Sequence, residues 1–77
     1  MKLDIISPEK TIYSGSAESV TLPGIKGSFT ILDHHAPIIS SLTQGTIIYK
    51  HKGEDVSLKI QGGFIEMNNN NITVCIE

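Results

Sequence analysis

The stretch Val56-Ser57-Leu58-Lys59-Ile60-Gln61 alternates apolar and polar residues without a break. A second stretch, Ile72-Thr73-Val74-Cys75-Ile76-Glu77, does the same. Because successive side chains of a β-strand point to opposite faces, a period of two predicts strands with one buried face. Shorter runs with the same period occupy residues 18–22 and 28–31. The alternation therefore predicts an all-β chain.

Turn-forming residues separate these runs every 8–12 residues or so, about the spacing of a small sandwich or barrel. Pro and Gly interrupt residues 7–10 and 23–27, and the runs KGED (52–55) and NNNN (68–71) predict hairpin turns. No window shows sustained helical periodicity. The sequence predicts a small antiparallel β-sandwich of two packed sheets, with about eight to ten short strands, filling residues 1–77 as one domain.

Two strand-like segments contain a doubled isoleucine, Ile5-Ile6 and Ile47-Ile48. One of the two side chains must lie on the face that the alternation leaves to polar residues. Each pair therefore predicts either a strand covered in part on both faces or a β-bulge.

The composition limits the classes of function. The net charge is −2, from six Lys and eight Asp plus Glu, and there is no Arg, the preferred reader of phosphates and base edges, which argues against nucleic acid as a partner. The single cysteine, Cys75, excludes an internal disulfide. No signal-peptide pattern opens the sequence, and no apolar run approaches the ~20 residues of a membrane-spanning helix. We expect a cytoplasmic protein.

Asp33, His34 and His35 form the one cluster with metal-site or acid–base chemistry. Adjacent residues rarely bind one metal together, and no further ligand follows at a matching spacing, so we expect no metal site. Pro37 fixes its own φ and biases the residue before it to extended geometry. The segment 33–37 is therefore predicted to be a rigid, exposed loop that presents side chains to a partner.

Cys75 and the Gly62-Gly63 pair leave two interpretations each. Cys75 is out of phase with Val74 and Ile76, so it is placed on the opposite face of its strand, and no base is positioned to activate it as a nucleophile. Gly62-Gly63 fits a tight turn or bulge, or alternatively a point where another backbone approaches closely, in this chain or a partner.

Several segments taken together are similar to a known family. They are LDIISP (3–8), YSG (13–15), GSFTILDHHAP (27–37), LTQG (42–45), GGFIEM (62–67) and NITV (71–74). In this order they resemble the N-terminal β-sandwich domain of the epsilon subunit of the F-type ATP synthase. The resemblance covers the whole chain. Its specificity comes from the combination of His35-Ala36-Pro37 at a fixed distance after Gly27 with Leu-x-x-Gly (42–45) and Gly-Gly-x-x-Glu (62–66), and no single piece is specific.

The chain departs from the family pattern at several positions. Ser28 stands where the family usually has Glu, Thr30 where it has Gly, and Asp33-His34 where it has Pro-Gly. By the resemblance, these residues lie in a loop that faces the membrane rotor ring. Family members commonly continue into two C-terminal helices that can inhibit ATP hydrolysis. We expect a naturally short subunit that lacks this arm.

The resemblance implies a rotor subunit in the central stalk of a proton-translocating ATP synthase, which couples rotation of the c-ring to the gamma shaft during ATP synthesis. It implies a non-catalytic part without cofactors, monomeric when isolated, held at the cytoplasmic face of the bacterial inner membrane through its partners. The residues implied in c-ring contact are Ser28, Asp33, His34, His35 and Pro37. Those implied in gamma contact are Leu42, Thr43, Gln44, Gly62 and Gly63.

Two other functions stay open at this point. One is a free-standing β-sandwich module that binds peptide or carbohydrate, with residues 33–37 as the ligand loop, although the four aromatic residues offer little for stacking on sugars. The other is an enzyme that uses Cys75 or His35.

Overall fold

A computed structural model describes all 77 residues, as nine β-strands and no helix. Each alternating run of the sequence forms a strand. The strands are β1 (Lys2–Ile6), β2 (Thr11–Ser16), β3 (Ser19–Gly24), β4 (Gly27–Leu32), β5 (Ile38–Leu42), β6 (Gly45–His51), β7 (Glu54–Ile60), β8 (Gly63–Asn68) and β9 (Asn71–Ile76). The prediction of an all-β chain with eight to ten strands is confirmed, and no helix is available to cross a membrane.

The strands form two parts that we call the first sheet, in the order β2-β1-β9-β8-β5, and the second sheet, in the order β4-β3-β6-β7. A single residue pair, Gly24 with Leu42, joins β3 to β5 and makes the two parts continuous. The predicted two-layer arrangement is thus realised as one sheet that curls over its own core. Pairing is antiparallel throughout except between β1 and β9, which run parallel.

The core lies between the two sheets. Alternate residues of both sheets contribute to one cluster of fourteen buried hydrophobic side chains, and no polar side chain is buried. Ten of these side chains are the most deeply buried: Leu3, Ile5, Val20, Leu22, Ile31, Ile47, Ile65, Met67, Ile72 and Val74. Fully burying a side chain of this size contributes about 1.5–3 kcal/mol to folding. The core therefore supplies the main favourable term in the stability of this small domain.

The two doubled isoleucines have different outcomes. At the first pair the register between β1 and β2 shifts, because Ile5 pairs with Tyr13 and Ile6 with Thr11, so the unpaired extra residue, Ile12, lies on β2. In β6 there is no shift, so Ile47 is fully buried and Ile48 lies on the outer face with 37% of its surface exposed. The partial covering of both faces is therefore found in β6, whereas the irregularity at β1 places its extra residue on the neighbouring strand β2.

Both predicted hairpin turns are confirmed. Lys52 and Gly53 connect β6 to β7, and Asn69 and Asn70 connect β8 to β9. All four residues have positive φ, between 51° and 79°. Two successive residues of positive φ give the turn twist that matches the twist of the flanking strands.

Strand direction places the loops at two ends of the molecule. The histidine end holds Met1, Ala17 and the segments 33–37, 52–53 and 69–70. The glycine end holds the segments 7–10, 25–26, 43–44 and 61–62, together with Glu77. These two names are used below for the two ends.

An aromatic contact connects the edge strand β2 of the first sheet to β6 of the second. The rings of Tyr13 and Tyr49 lie 4.5 Å apart between centroids. The Tyr13 hydroxyl donates a hydrogen bond of 2.7 Å to the Ser16 carbonyl oxygen, and His51 Nδ1 lies 3.0 Å from that oxygen. Burial raises the pKa of Tyr49, with a smaller contribution from Tyr13.

Gly63 should be the least replaceable glycine. Its φ is +149°, and a Cβ there would overlap the Cys75 carbonyl oxygen on the neighbouring strand β9. Gly53 also has positive φ, but a Cβ there would meet nothing within 4 Å. We expect Gly53→Ala to lower the free energy of unfolding by about 1 kcal/mol and Gly63→Ala by about 3 kcal/mol or more.

Urea denaturation of the two variants measures this difference. Equal losses of stability in the two variants would show that positive φ alone, and not the overlap with β9, accounts for the glycine at position 63.

Candidate partner-binding surfaces

The loop of residues 33–37 is exposed, as the sequence predicts, and hydrogen bonds connect its backbone to neighbouring segments. All five side chains are exposed, and the backbone is fixed at His34, which has a φ of 62°. The His34 backbone N–H donates a hydrogen bond of 2.8 Å to Asn70 Oδ1, and the His35 N–H donates one of 3.1 Å to the Leu32 carbonyl oxygen. The loop therefore presents its imidazole rings outward from a fixed base.

The Asp33 carboxylate is the electrostatic centre of this end. Its Oδ1 accepts hydrogen bonds of 2.8 Å from the Met1 amino group and 3.1 Å from Asn70 Nδ2. The bond from the amino group lowers the pKa of Asp33, and the bond from Asn70 lowers it further, while partial desolvation opposes both. His34 Nε2 lies 3.9 Å from Oδ2. This end of the domain therefore holds an ionised carboxylate whose partners come from two other segments.

The interpretation that Ser28 shares one loop with Asp33 is wrong. Ser28 lies on β4 opposite Pro23, next to the glycine end, whereas Asp33 follows β4 at the histidine end. Five extended residues separate them by roughly 17 Å. The five residues proposed for ring contact thus divide into Asp33, His34, His35 and Pro37 at one end and Ser28 near the other.

The five residues proposed for gamma contact lie close together at the glycine end. Leu42 pairs with Gly63 across β5 and β8, and the Leu42 carbonyl oxygen is 3.6 Å from where a Cβ of Gly62 would stand. However, Leu42 is only 4% exposed and Gly62 is buried. Neither residue offers surface to a partner, because the Leu42 side chain belongs to the core and Gly62 is itself buried. Thr43 and Gln44 are exposed and stay candidates.

Seven large apolar side chains are exposed, none of them a candidate from the sequence, and three of the seven lie close together. Ile39 is 77% exposed, Ile25 is 66% exposed and Phe64 is 50% exposed. Ile39 and Phe64 lie diagonally on the outer face of β5 and β8, and the Ile25 N–H donates to the Ser41 carbonyl oxygen beside them. We call these three residues the apolar patch.

The sequence did contain a signal for part of this patch. In β8, Ile65 and Met67 are buried, so Phe64 and Glu66 occupy the outward phase of the alternation. A phenylalanine in the outward phase of a half-buried strand predicts an exposed apolar side chain, which becomes informative when further apolar side chains lie beside it. The sequence contains no such signal for Ile39, because two successive isoleucines do not show which one faces outward; Ile38 packs against the core.

Cys75 and His35 cannot act together. Cys75 lies on the outer face of β9 toward the glycine end, between Ile6 and Phe64 on the neighbouring strands, and His35 lies at the histidine end. Cys75 does lie on the opposite face from Ile72 and Val74, as its phase predicted. No three His, Cys, Asp or Glu side chains are grouped so that they could hold a metal ion.

Comparison with known proteins identifies the family. The family model described as ATP synthase, Delta/Epsilon chain, beta-sandwich domain matches residues 1–77. This chain belongs to that family. The resemblance stated from the motifs is confirmed.

Curated relatives within the family carry the name ATP synthase epsilon chain. The protein of Leptospira interrogans (strain Fiocruz L1-130) is 41% identical over 75 residues, which are 96% of this chain and 58% of that protein. The protein of Geobacter sulfurreducens is 35% identical over 77 residues, which are 100% of this chain and 56% of that protein. The chain thus spans a little over half the length of the curated relatives it matches.

Solved structures show the same fold. A chain of the mitochondrial ATP synthase of Euglena gracilis (OSCP/F1/c-ring) superposes with a TM-score of 0.90 at 18% identity, covering 96% of this chain and 48% of that one. A chain of the Tetrahymena thermophila mitochondrial ATP synthase (central stalk/c-ring) gives 0.83 at 15% identity, covering 99% and 62%. At these identities the likeness establishes the fold.

The hydrogen bonds of Asp33 should make stability depend on acid. A folded-state pKa below the unfolded value of about 3.9 means that the contribution of Asp33 is present above that pH and is lost as pH falls through the folded pKa. In Asp33→Asn the free energy of unfolding should therefore differ less between pH 7 and pH 3 than in the unchanged protein.

Urea denaturation at both pH values measures this difference. Asp4 gives an independent test, because hydrogen bonds from Ser14 and then Lys2 lower the pKa of Asp4. The effects of Asp4→Asn and Asp33→Asn should add. An unchanged difference in Asp33→Asn would show that its bonds do not persist in solution.

Proposed function

We propose that this chain is the β-sandwich part of an ATP synthase epsilon chain, a non-catalytic subunit of the central stalk that couples rotation of the c-ring to the gamma shaft during ATP synthesis. The observation that carries the proposal is the match of the family across residues 1–77. The relatives named ATP synthase epsilon chain and the neighbours from central-stalk and c-ring structures support it.

The apolar patch is our candidate for the gamma contact. Three large apolar side chains exposed close together on one small domain cost solubility unless a partner covers them. Protein interfaces derive most of their affinity from a few desolvated apolar or aromatic residues. Ile39 and Phe64 have the required exposure. Gly63 adjoins Phe64, and Thr43 and Gln44 follow Leu42, which pairs with Gly63, so these three residues can form the rim on the Phe64 side of the patch.

The loop of residues 33–37 is our candidate for the c-ring contact. It is polar and exposed, and hydrogen bonds to another turn hold its base. Asp33, His34, His35 and Pro37 can face one partner together. Ser28 can take part only if the ring also reaches the glycine end of β4.

Such a coupling part needs stiffness and no chemistry of its own. Torque passes without loss only through a body that deforms little, and a close-packed interior has low compressibility. The continuous core and the aromatic contact of Tyr13 with Tyr49 give that property to a domain of 77 residues. ATP synthesis itself takes place on other subunits in this proposal.

The proposed location follows from the partners. Bound to gamma and the c-ring, the chain is peripheral at the cytoplasmic face of the bacterial inner membrane. The 77 residues contain no helix, so a helical inhibitory arm would have to come from outside them. In our proposal these residues by themselves do not inhibit ATP hydrolysis.

The alternative of a peptide- or carbohydrate-binding module is not favoured by any observation. Tyr49 is buried, and Tyr13 and Phe29 pack against the core, so Phe64 is the one exposed aromatic side chain.

Association with the matching gamma subunit tests the proposal directly. Mixed in equal amounts and passed over a gel-filtration column, the two proteins should elute together. Separate elution, with no heat of binding by calorimetry, would contradict the proposed function.

The apolar patch should dominate affinity for gamma. We expect Ile39→Ser and Phe64→Ser each to weaken binding to gamma by about tenfold or more. Truncating a hot-spot side chain typically costs about 2 kcal/mol of binding free energy, which corresponds to roughly a thirtyfold change in affinity. Calorimetry measures the affinity, and thermal unfolding checks that the fold is retained. Ile48→Ser is the matched control, because Ile48 is exposed on the outer face of the second sheet, between Thr21 and Ser57.

A loss of affinity in the Ile48 variant equal to that in the other two would place the gamma contact elsewhere.

A further inference from the structure

The run of four asparagines does more than form a turn. Asn69 and Asn70 supply the two positive-φ residues of the β8–β9 turn, with φ of 51° and 61°. The Asn70 side chain also reaches the loop of residues 33–37. Its Nδ2 donates a hydrogen bond of 3.1 Å to Asp33 Oδ1, and its Oδ1 accepts one of 2.8 Å from the His34 backbone N–H.

These requirements together select asparagine at position 70. Glycine takes positive φ without strain but has no amide to offer. Ionised aspartate cannot donate, and it would place a second carboxylate beside Asp33. Asparagine tolerates positive φ and carries both a donor and an acceptor. At position 69 the turn requires only a residue that tolerates positive φ. The hydrogen bond at this position is accepted by the Asn69 backbone carbonyl oxygen, 3.1 Å from Asn71 Nδ2, and does not involve the Asn69 side chain.

We propose that Asn70 positions the loop of residues 33–37 for contact with the rotor. The proposal rests on the proposed function for the identity of the partner. Both bonds lie at the base of the loop, on Asp33 and on His34, whose own φ of 62° is unfavourable for a side-chain-bearing residue. Without Asn70, His34 is free to return to an extended conformation, and the imidazole rings lose their fixed direction.

The decisive comparison is between Asn70→Gly and Asn69→Gly. Both keep a residue that accepts positive φ, so both should keep the hairpin. Only Asn70→Gly removes the two side-chain hydrogen bonds. Amide hydrogen exchange should show His34 protection falling by up to about tenfold in Asn70→Gly, as expected for loss of an ordinary hydrogen bond, and unchanged in Asn69→Gly.

Affinity for a detergent-solubilised subcomplex of gamma and the c-ring then tests the positioning role. It should fall in Asn70→Gly and not in Asn69→Gly. Three outcomes would overturn the proposal. His34 could keep its protection in Asn70→Gly, protection could be lost while the affinity stays unchanged, or the two variants could have equal effects. If the unchanged chain does not bind gamma at all, the proposed function fails, while His34 protection still decides whether Asn70 anchors the loop.

Asn70→Asp gives a readout that a purely structural role would not produce. The charged groups that face the new carboxyl group are Asp33, the Met1 amino group and His34, and His35 is exposed on the same loop. At pH 7 the two carboxylates repel each other. Once acid lets them share a proton, the protonated carboxyl group donates and accepts as the amide does.

His34 protection in Asn70→Asp should therefore be low at pH 7 and should recover toward that of the unchanged protein at pH 4. Asn70→Gly should show no such recovery. Recovery in both variants, or in neither, would overturn the assignment of this role to the Asn70 amide.

Discussion

Everything in this structure depends on burying one set of aliphatic side chains between two sheets. On folding, a chain of 77 residues removes from water only roughly 60–65% of the surface that its unfolded form exposes, so its free energy of unfolding is small. The fourteen-residue core uses the inward phase of the alternating strands and contains no polar side chain. This leaves the outer faces and the loops for recognition. The Gly24–Leu42 pair that joins the sheets lets β5 and β3 share the same core.

The same constraint separates structural residues from surface residues within the family motifs. Gly45 lies against the Pro23 ring, since a Cβ there would stand 2.6 Å from Pro23 Cβ. Gly63 lies against the β9 backbone, and Leu42 belongs to the core. These motif residues maintain packing. Residues suited to a partner, such as Ile39, Phe64 and His34, are distinguished by exposure and not by membership in a motif.

Much of the fold was predictable from the sequence, and less of the candidate sites was. The period of two in residues 56–61 and 72–77 identified strands correctly, and the Lys52-Gly53 and Asn69-Asn70 turns were located by turn chemistry. The placement of Ser28 in the same loop as Asp33 was wrong, because position in a motif does not show that a strand carries the two residues to opposite ends. Leu42 was misjudged because burial depends on which sheet covers it.

The sequence by itself determined the local features: which segments are strands, which residues of a strand share a face, where the hairpins turn, and the family. These follow from interactions between residues near one another in the chain, or from the pattern of residues itself. Only the tertiary structure decided that β1 and β9 pair in parallel, that Ile25, Ile39 and Phe64 form one patch, and that Asn70 holds a loop 36 residues away. The physical reason is that such contacts depend on how strands distant in sequence are ordered within the sheets, and alternation along one strand carries no information about its neighbours.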